Sequence, residues 1–298
     1  MKIFNALDTG MVRSLKVWKG ILITWFIYLS LASTVALPLK AVLKEGLGKS
    51  TIAERLVTGI DMDVLTDLGP GFRNELHYFY SGLLIIILIG FLTNAFLTGG
   101  FFDSMKGTSQ RFVPAEFFGS CARNFFPFTL ITLVTGIMFL FLAFLLIALP
   151  LSSLLSRSST EWVPLLIVKI SILVFILLYM IIVLVADYAR AWQVMNGKAS
   201  PFRALGFGFK TAFCKLRSTY PLMLILWIGN TFFLVLSYLL IGRLKPATGI
   251  GVFMLFVLSQ LLFFTRLLLK CWRYGSVTAL KEINEQLFRA DKQQDANQ

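Results

Sequence analysis

The sequence predicts an all-α integral membrane protein with six transmembrane helices. Of its 298 residues, 57% are hydrophobic and only 14% are charged, whereas a soluble domain has about 45–50% apolar and about 25% charged residues. The apolar residues also collect in runs close to the roughly 20 residues that a helix needs to cross a bilayer. We expect helices because an open strand cannot satisfy its backbone hydrogen bonds in lipid.

The basic residues between the apolar runs predict the orientation of the chain. The six candidate spans are residues 18–38, 79–99, 127–149, 164–186, 220–241 and 247–269. Lysine and arginine are clearly more frequent in the N-terminal segment and in every second segment after it. Since cytoplasmic segments carry this excess, we expect both termini in the cytoplasm.

A basic amphipathic stretch precedes the fifth span. Ser200 and Pro201 suit the N-cap and the first turn of a helix, and apolar residues then recur at helical spacing up to Leu216. The cationic residues of this stretch are Arg203, Lys210, Lys215 and Arg217. An apolar face beside a basic face is typical of a helix that lies on a membrane surface. We therefore predict that these four cations contact anionic lipid headgroups.

The same design recurs along the chain. Met105 and Met195 are separated by the same interval as Phe112 and Phe202, and a weaker copy of the pattern lies at 1–17. The sequence thus predicts three hairpin units, each preceded by an amphipathic interfacial helix. The units are residues 1–100, 101–190 and 191–275.

Further boundaries complete the predicted organisation of this single membrane domain. Residues 40–78 form the only sizeable outer loop, and residues 274–298 form a cytoplasmic tail. Pro127 and Pro221 are expected to open the third and fifth spans, because proline is accepted in the first turn of a helix.

The two inner loops give the chain a resemblance to a known group of proteins. These loops read GGFFDSMKGTSQRFVPAEFFGSCARNFFPF and DYARAWQVMNGKASPFRALGFGFKTAFCKL. In them the chain resembles the membrane domain attached to some bacterial glycerophosphodiester phosphodiesterases, and the stand-alone relatives of that domain. The resemblance implies a six-helix domain in the bacterial cytoplasmic (inner) membrane. It carries no catalytic residue across, because the phosphodiesterase chemistry of that group lies in a separate soluble domain.

No motif in the sequence predicts catalysis, a cofactor or a metal site. Residues 48–51 resemble the end of a phosphate-binding loop, but Leu43 stands where the first glycine is needed. Residues 206–208 form a GxG without the third glycine and lie on a predicted helix instead of a strand-to-helix turn. His77 is the only histidine. We therefore expect no enzyme and no cofactor.

The net charge of +13 raises the question of a nucleic-acid partner. Because the basic residues flank apolar spans, membrane topology and anionic lipid headgroups account for them. We expect membrane lipids, especially anionic ones, as partners, with other membrane-complex subunits possible and no nucleic acid.

Four polar residues within or beside the spans are candidate functional residues. Asp187 and Arg190 are three positions apart at the inner end of span four, close enough to pair. Asn230 and Gln260 are expected at similar depths on adjacent antiparallel helices, where a hydrogen bond is worth about 1 kcal/mol. For the charged pair, a structural ion pair or a headgroup contact is the main interpretation, and a substrate or proton path is the alternative.

Together these features predict a non-catalytic multi-pass protein that is an accessory or scaffold component of a membrane complex. The alternative is a transporter or lipid-handling protein with a path between the repeated hairpins. A polar, water-accessible cleft beside Asp187, Arg190, Asn230 and Gln260 would favour the alternative.

Overall fold

The chain folds into long helices. The computed structural model describes residues 2–47, 69–107, 112–156, 162–197, 199–244 and 248–296, and no β-strand occurs in these ranges. Six of the described helices are long and apolar enough to cross a bilayer. They coincide in number and place with the six predicted spans, so the chain is a multi-pass membrane protein.

The helices are numbered in chain order. The first half contains α1 (Lys2–Lys16), α2 (Trp18–Leu47), α3 (Gly69–Ser104), α4 (Pro114–Ala143) and α5 (Leu149–Ser156). The second half contains α6 (Trp162–Met195), α7 (Pro201–Cys214), α8 (Leu216–Arg243) and α9 (Gly249–Ala296). A π-helical turn, Phe144–Ala148, joins α4 to α5 without a break in the helix.

The helices form two compact units. Unit 1 comprises Met1–Leu22 and Ala95–Gln298, and unit 2 comprises Ile23–Asn94. In unit 2 the hydroxyl of Tyr28 donates to Oδ1 of Asn94 at 3.4 Å, which joins its two helical segments. Unit 1 contains the buried core and all of the candidate site residues.

The core of unit 1 surrounds one stretch of α9. Every residue at 274–281 is buried, although a helix at a protein surface buries only one stripe. Side chains of α1, α6, α7 and α8 form a single apolar cluster with this stretch. The structure therefore differs from the predicted tail at 274–298, because its first two turns lie at the centre of the unit and the helix continues to Ala296.

The first and last helices cross with their backbones in contact. A Cβ atom at Gly10 would overlap the backbone of Ser276, and one at Gly275 would lie 2.8 Å from the carbonyl oxygen of Gly10. Nε1 of Trp272 donates to the carbonyl oxygen of Leu7 at 2.8 Å. Only glycine at positions 10 and 275 allows so close an approach.

The amphipathic segments differ between the three predicted units. In the first and third units they are separate helices, α1 and α7, each followed by a single-residue break before the next helix. In the second unit, by contrast, α4 runs without a break from the amphipathic segment into the span. Pro127 and Pro221 both lie inside helices and do not open them. Membrane helices tolerate internal proline because neighbouring groups satisfy the carbonyl that it leaves unpaired.

The structure describes only the two ends of the predicted outer loop. Helix α2 continues to Leu47 and α3 begins at Gly69, so both ends of the 40–78 segment are helical. Residues 48–68, which include the glycine-containing motif at 48–51, lie outside the described residues. His77 lies on α3, and its side chain is also outside the described set.

The crossing of α1 and α9 predicts that Gly10→Ala is costly. The added methyl group would overlap Ser276, so the helices must separate, and overpacking of this kind costs about 1–3 kcal/mol. We expect a lower midpoint of thermal unfolding for the purified protein in detergent, measured by size-exclusion chromatography after heating.

Gly206→Ala is the matched control for this substitution. Gly206 also lies inside a helix, but a Cβ atom there would meet nothing within 4 Å. Because alanine is the better helix former by about 1 kcal/mol, the control should be neutral or slightly stabilising. Equal midpoints for the two variants would show that α1 is not held against α9 in this way.

Candidate functional site

Helix α7 is fixed against α6 by small residues. Its buried positions are Ala204, Leu205, Gly208 and Ala212. A Cβ atom at Gly208 would overlap the carbonyl oxygen of Val185 and lie 3.2 Å from Cβ of Ala189. The rings of Trp192 and Phe207 stack with centroids 5.7 Å apart. Because the two backbones touch, the rotation of α7 about its own axis is determined.

That rotation exposes an aromatic face and a basic face of α7. Phe202 and Phe213 are 65% and 59% exposed. The four predicted lipid-contact residues are all exposed, namely Arg203, Lys210, Lys215 and Arg217. None of these four cations forms an ion pair within the described ranges. The predicted apolar face is divided, since Leu205 packs on α6 while the two phenylalanines remain outside.

Lys215 and Arg217 flank the bend between α7 and α8. The backbone of Lys215 leaves the helical region, with φ −117° and ψ 27°, and its N–H donates to the carbonyl oxygen of Thr211 at 3.1 Å. Its own carbonyl oxygen accepts the amides of Ser218 and Thr219, both at 3.0 Å. Hydrogen bonds therefore fix the corner that presents these two cations.

A buried carboxylate joins α6 to α9. Asp187 is fully buried, and Nη1 of Arg190 donates to its Oδ1 at 3.1 Å. Nε of Arg273 lies 2.8 Å from Oδ2, an ion-pair contact without the alignment of a hydrogen bond. Nη2 of Arg190 donates to Oγ1 of Thr132 at 3.0 Å, which brings α4 into the cluster. We call these four residues the Asp187 cluster.

The Asp187 cluster is dry around its carboxylate and carries excess positive charge. The side chain of Asp187 is 0% exposed, that of Arg190 is 10% exposed and that of Arg273 is 28% exposed. Each carboxylate oxygen faces one guanidinium group, so one of the two arginine charges is left over. The carboxylate of Asp187 is therefore closed off from solvent.

The end of α3 repeats this arrangement near the surface. Oδ1 of Asp103 lies 2.7 Å from Nζ of Lys106, three positions later on the chain. Its Oδ2 accepts hydrogen bonds from Ser120 and from Arg123, the latter at 3.1 Å, both on α4. At each site, an aspartate thus pairs with a cation one turn further on and with an arginine of a neighbouring helix.

Two further cations contact carbonyl groups at the C-terminal ends of neighbouring helices. Nη1 of Arg13 donates to the carbonyl oxygen of Met105 at 2.9 Å, and its Nη2 lies 2.6 Å from Oε2 of Glu282. Nζ of Lys281 donates to the carbonyl oxygen of Ala191 at 3.3 Å. Cations placed in this way satisfy carbonyl groups at helix C-termini and oppose the helix dipole. Sequence reasoning missed Arg13, Lys281, Arg273 and Thr132, because their partners lie far away in the chain.

Asn230 and Gln260 do not form the predicted hydrogen bond with each other. Both are partly buried, but no hydrogen bond joins their side chains in the described part of α8 and α9. Similar depth on adjacent helices is not sufficient for a contact, because each helix can still be rotated about its axis.

The described residues contain no group of three or more His, Cys, Asp or Glu side chains that could hold a metal ion. Comparison of the chain with protein-family models, curated proteins and solved structures finds no match. The resemblance to the membrane domain of glycerophosphodiester phosphodiesterases therefore stays a prediction.

The burial of Asp187 predicts that Asp187→Asn is strongly destabilising. The substitution leaves two arginines without their carboxylate, and breaking a buried pair costs about 3–5 kcal/mol. We expect poor recovery of monodisperse protein and a lower unfolding midpoint in detergent.

Asp103→Asn is the matched control, because it removes the same charge from a similar cluster. The side chain of Asp103 is 20% exposed and its partner Arg123 is 62% exposed, so water replaces the lost contacts more easily. A loss at position 103 as large as that at position 187 would show that burial does not determine the cost of removing the carboxylate.

The lack of a hydrogen bond between Asn230 and Gln260 predicts additive effects. In a double-mutant cycle, Asn230→Leu and Gln260→Leu should combine within about 0.3–0.5 kcal/mol of the sum of their separate effects. Unfolding midpoints in detergent provide the measurement. Coupling well above this limit would show that the two side chains interact, as predicted from the sequence.

Proposed function

We propose that this protein is a non-catalytic accessory or scaffold component of a bacterial inner-membrane complex. Its cytoplasmic face would hold anionic lipids through α7. The observation that supports this proposal is the fixed orientation of α7, which exposes Phe202 and Phe213 beside its basic residues.

The two exposed faces of α7 suit the boundary between hydrocarbon and headgroups. The phenylalanine rings enter the hydrocarbon edge, while the basic side chains reach the phosphates. Each lysine or arginine near an anionic surface contributes about 1 kcal/mol. Because α6 already holds the helix in place, binding does not require the segment to become ordered.

The burial of Asp187 supports a passive role over a substrate or proton path. A path needs ionisable groups that face water or a bundle interior open to substrate. In this protein the carboxylate is enclosed by two arginines, and no hydrogen bond joins the side chains of Asn230 and Gln260. The dense packing around residues 274–281 instead suits a rigid end that presents α7 in one orientation.

The alternative proposal is a transporter or a lipid-handling protein. It draws on the repeated arrangement around Asp103 and Asp187, because internal repeats are common in transporter folds. A path between the repeated hairpins would have to pass outside the Asp187 cluster.

The proposal predicts that neutralising the basic face of α7 lowers the preference for anionic lipid. In the full-length protein, replacement of Arg203, Lys210, Lys215 and Arg217 by Gln should remove at most about 1 kcal/mol per charge. The measurement is the ratio of phosphatidylglycerol to phosphatidylcholine that co-purifies with the protein from mixed vesicles.

Arg217→Gln and Arg243→Gln form the matched single-residue pair for this experiment. Both cations are exposed and lie at opposite ends of α8, and only Arg217 belongs to the proposed face. Equal effects of the two substitutions, or an unchanged lipid ratio in the quadruple variant, would refute the role of α7.

A further inference from the structure

A second group of cations lies on α9, away from the basic face of α7. Arg266, Lys270 and Arg273 follow one another at helical spacing and share a face. From residue 249 to residue 281, α9 contains no acidic residue, and Asp187 is the sole acidic residue of α6. This part of the two helices therefore carries far more positive than negative charge.

Helix geometry places these residues at a membrane boundary. Helix α9 begins at Gly249, and at about 1.5 Å per residue Lys270 lies about 30 Å further along. This distance equals the thickness of the hydrocarbon core, about 30 Å. On α6, Asp187 directly follows the predicted span at residues 164–186. Lys270 and Asp187 thus both lie at the end of an apolar span, which suits the headgroup level.

The cations of this region surround one aromatic ring. The guanidinium carbon of Arg273 lies 5.2 Å from the centroid of the Tyr274 ring, and Nζ of Lys270 lies 6.0 Å from the same centroid. The ring itself is buried, so it limits the directions that the two side chains can take. Arg273 keeps an exposed fraction of 28% on its side chain, and hence can be reached from outside.

The charges of the Asp187 cluster do not balance. One carboxylate, that of Asp187, faces the guanidinium groups of both Arg190 and Arg273. In addition, Nε of Arg190 is buried and has no hydrogen-bond partner among the described residues, although a buried donor left unpaired costs free energy. The uncompensated positive charge suits an additional anionic acceptor, which can reach the cluster at the exposed part of Arg273. Arginine binds phosphate groups especially well through its planar fork of donors.

We propose that Arg190, Lys270 and Arg273 bind the phosphodiester group of one anionic phospholipid. The phosphate oxygens accept hydrogen bonds from the guanidinium groups, and Asp187 holds these groups in place from the other side. At headgroup level, the acyl chains of such a lipid remain in the hydrocarbon core. The site uses none of the residues of α7, so it does not depend on the function proposed above.

Native mass spectrometry of the full-length protein tests this site. The protein is purified in detergent, incubated with phosphatidylglycerol or phosphatidylcholine, and the lipids that remain bound are counted. We expect the wild type to retain one phosphatidylglycerol with at least tenfold preference over phosphatidylcholine. Lys270→Gln and Arg273→Gln should each lower that retention severalfold, whereas the quadruple Gln variant of α7 should keep the bound lipid.

The two site variants separate binding from folding. Arg273→Gln removes a partner of buried Asp187, so its elution profile and unfolding midpoint are compared with those of the wild type. Lys270→Gln leaves the contact between Asp187 and Arg273 in place, and its elution profile and unfolding midpoint are compared with those of the wild type in the same way. Arg243→Gln is the control for the loss of one charge elsewhere.

Several results would overturn the proposal. Equal retention of the two lipids by the wild type would show that the protein does not select an anionic lipid. Unchanged retention in Lys270→Gln would show that Lys270 does not bind the lipid. Displacement of the lipid by millimolar inorganic phosphate would show that these residues bind a soluble anion instead of a lipid. Loss of the lipid in the α7 variant alone would show that α7 holds the lipid.

Discussion

The requirement that residues 274–281 be enclosed on every side governs the rest of unit 1. A stretch buried all round needs neighbours on all of its faces, and α1, α6 and α8 provide them. Gly275 and Ser276 let α1 approach to backbone contact, which larger side chains would prevent. Lys281 can be buried at the end of the stretch because a carbonyl oxygen of α6 accepts from it. Small residues and a paired charge, together with apolar side chains such as Val277 and Leu280, therefore define this centre.

Ion pairs at the helix ends determine how the helices are assembled around that centre. Asp187 connects α6 to α9, and Arg13 connects α1 to both α9 and the end of α3. Asp103 joins α3 to α4 in the same way. In hydrocarbon, apolar faces give little preference for one neighbour over another, because lipid tails are as apolar as leucine. These directional contacts thus specify which helices meet and in which rotation.

Features that depend on composition or on local spacing could be predicted from the sequence alone. The six spans were predictable because each is a long local run of apolar residues. The pairing of Asp187 with Arg190 followed from their separation by three positions. Arg273 could not be found in this way, because it lies on a distant helix. The burial of the stretch at 274–281 was not predicted, because its serine, threonine and lysine are not typical of a buried helix. The amphipathic character of α7 was predictable, but which of its faces packs on α6 depends on Gly208 and its neighbour Val185.

The contact between α1 and α9 also has a consequence for biosynthesis. The residues that meet there, such as Leu7 and Trp272, are separated by 265 positions. A ribosome adds about 5–20 residues per second, so α1 is inserted long before its partner helix exists. Until α9 emerges, the glycine side of α1 has no protein surface to pack on. Helix α9 therefore closes this contact late, and quality control by membrane chaperones or proteases has a long interval in which to recognise unfinished chains.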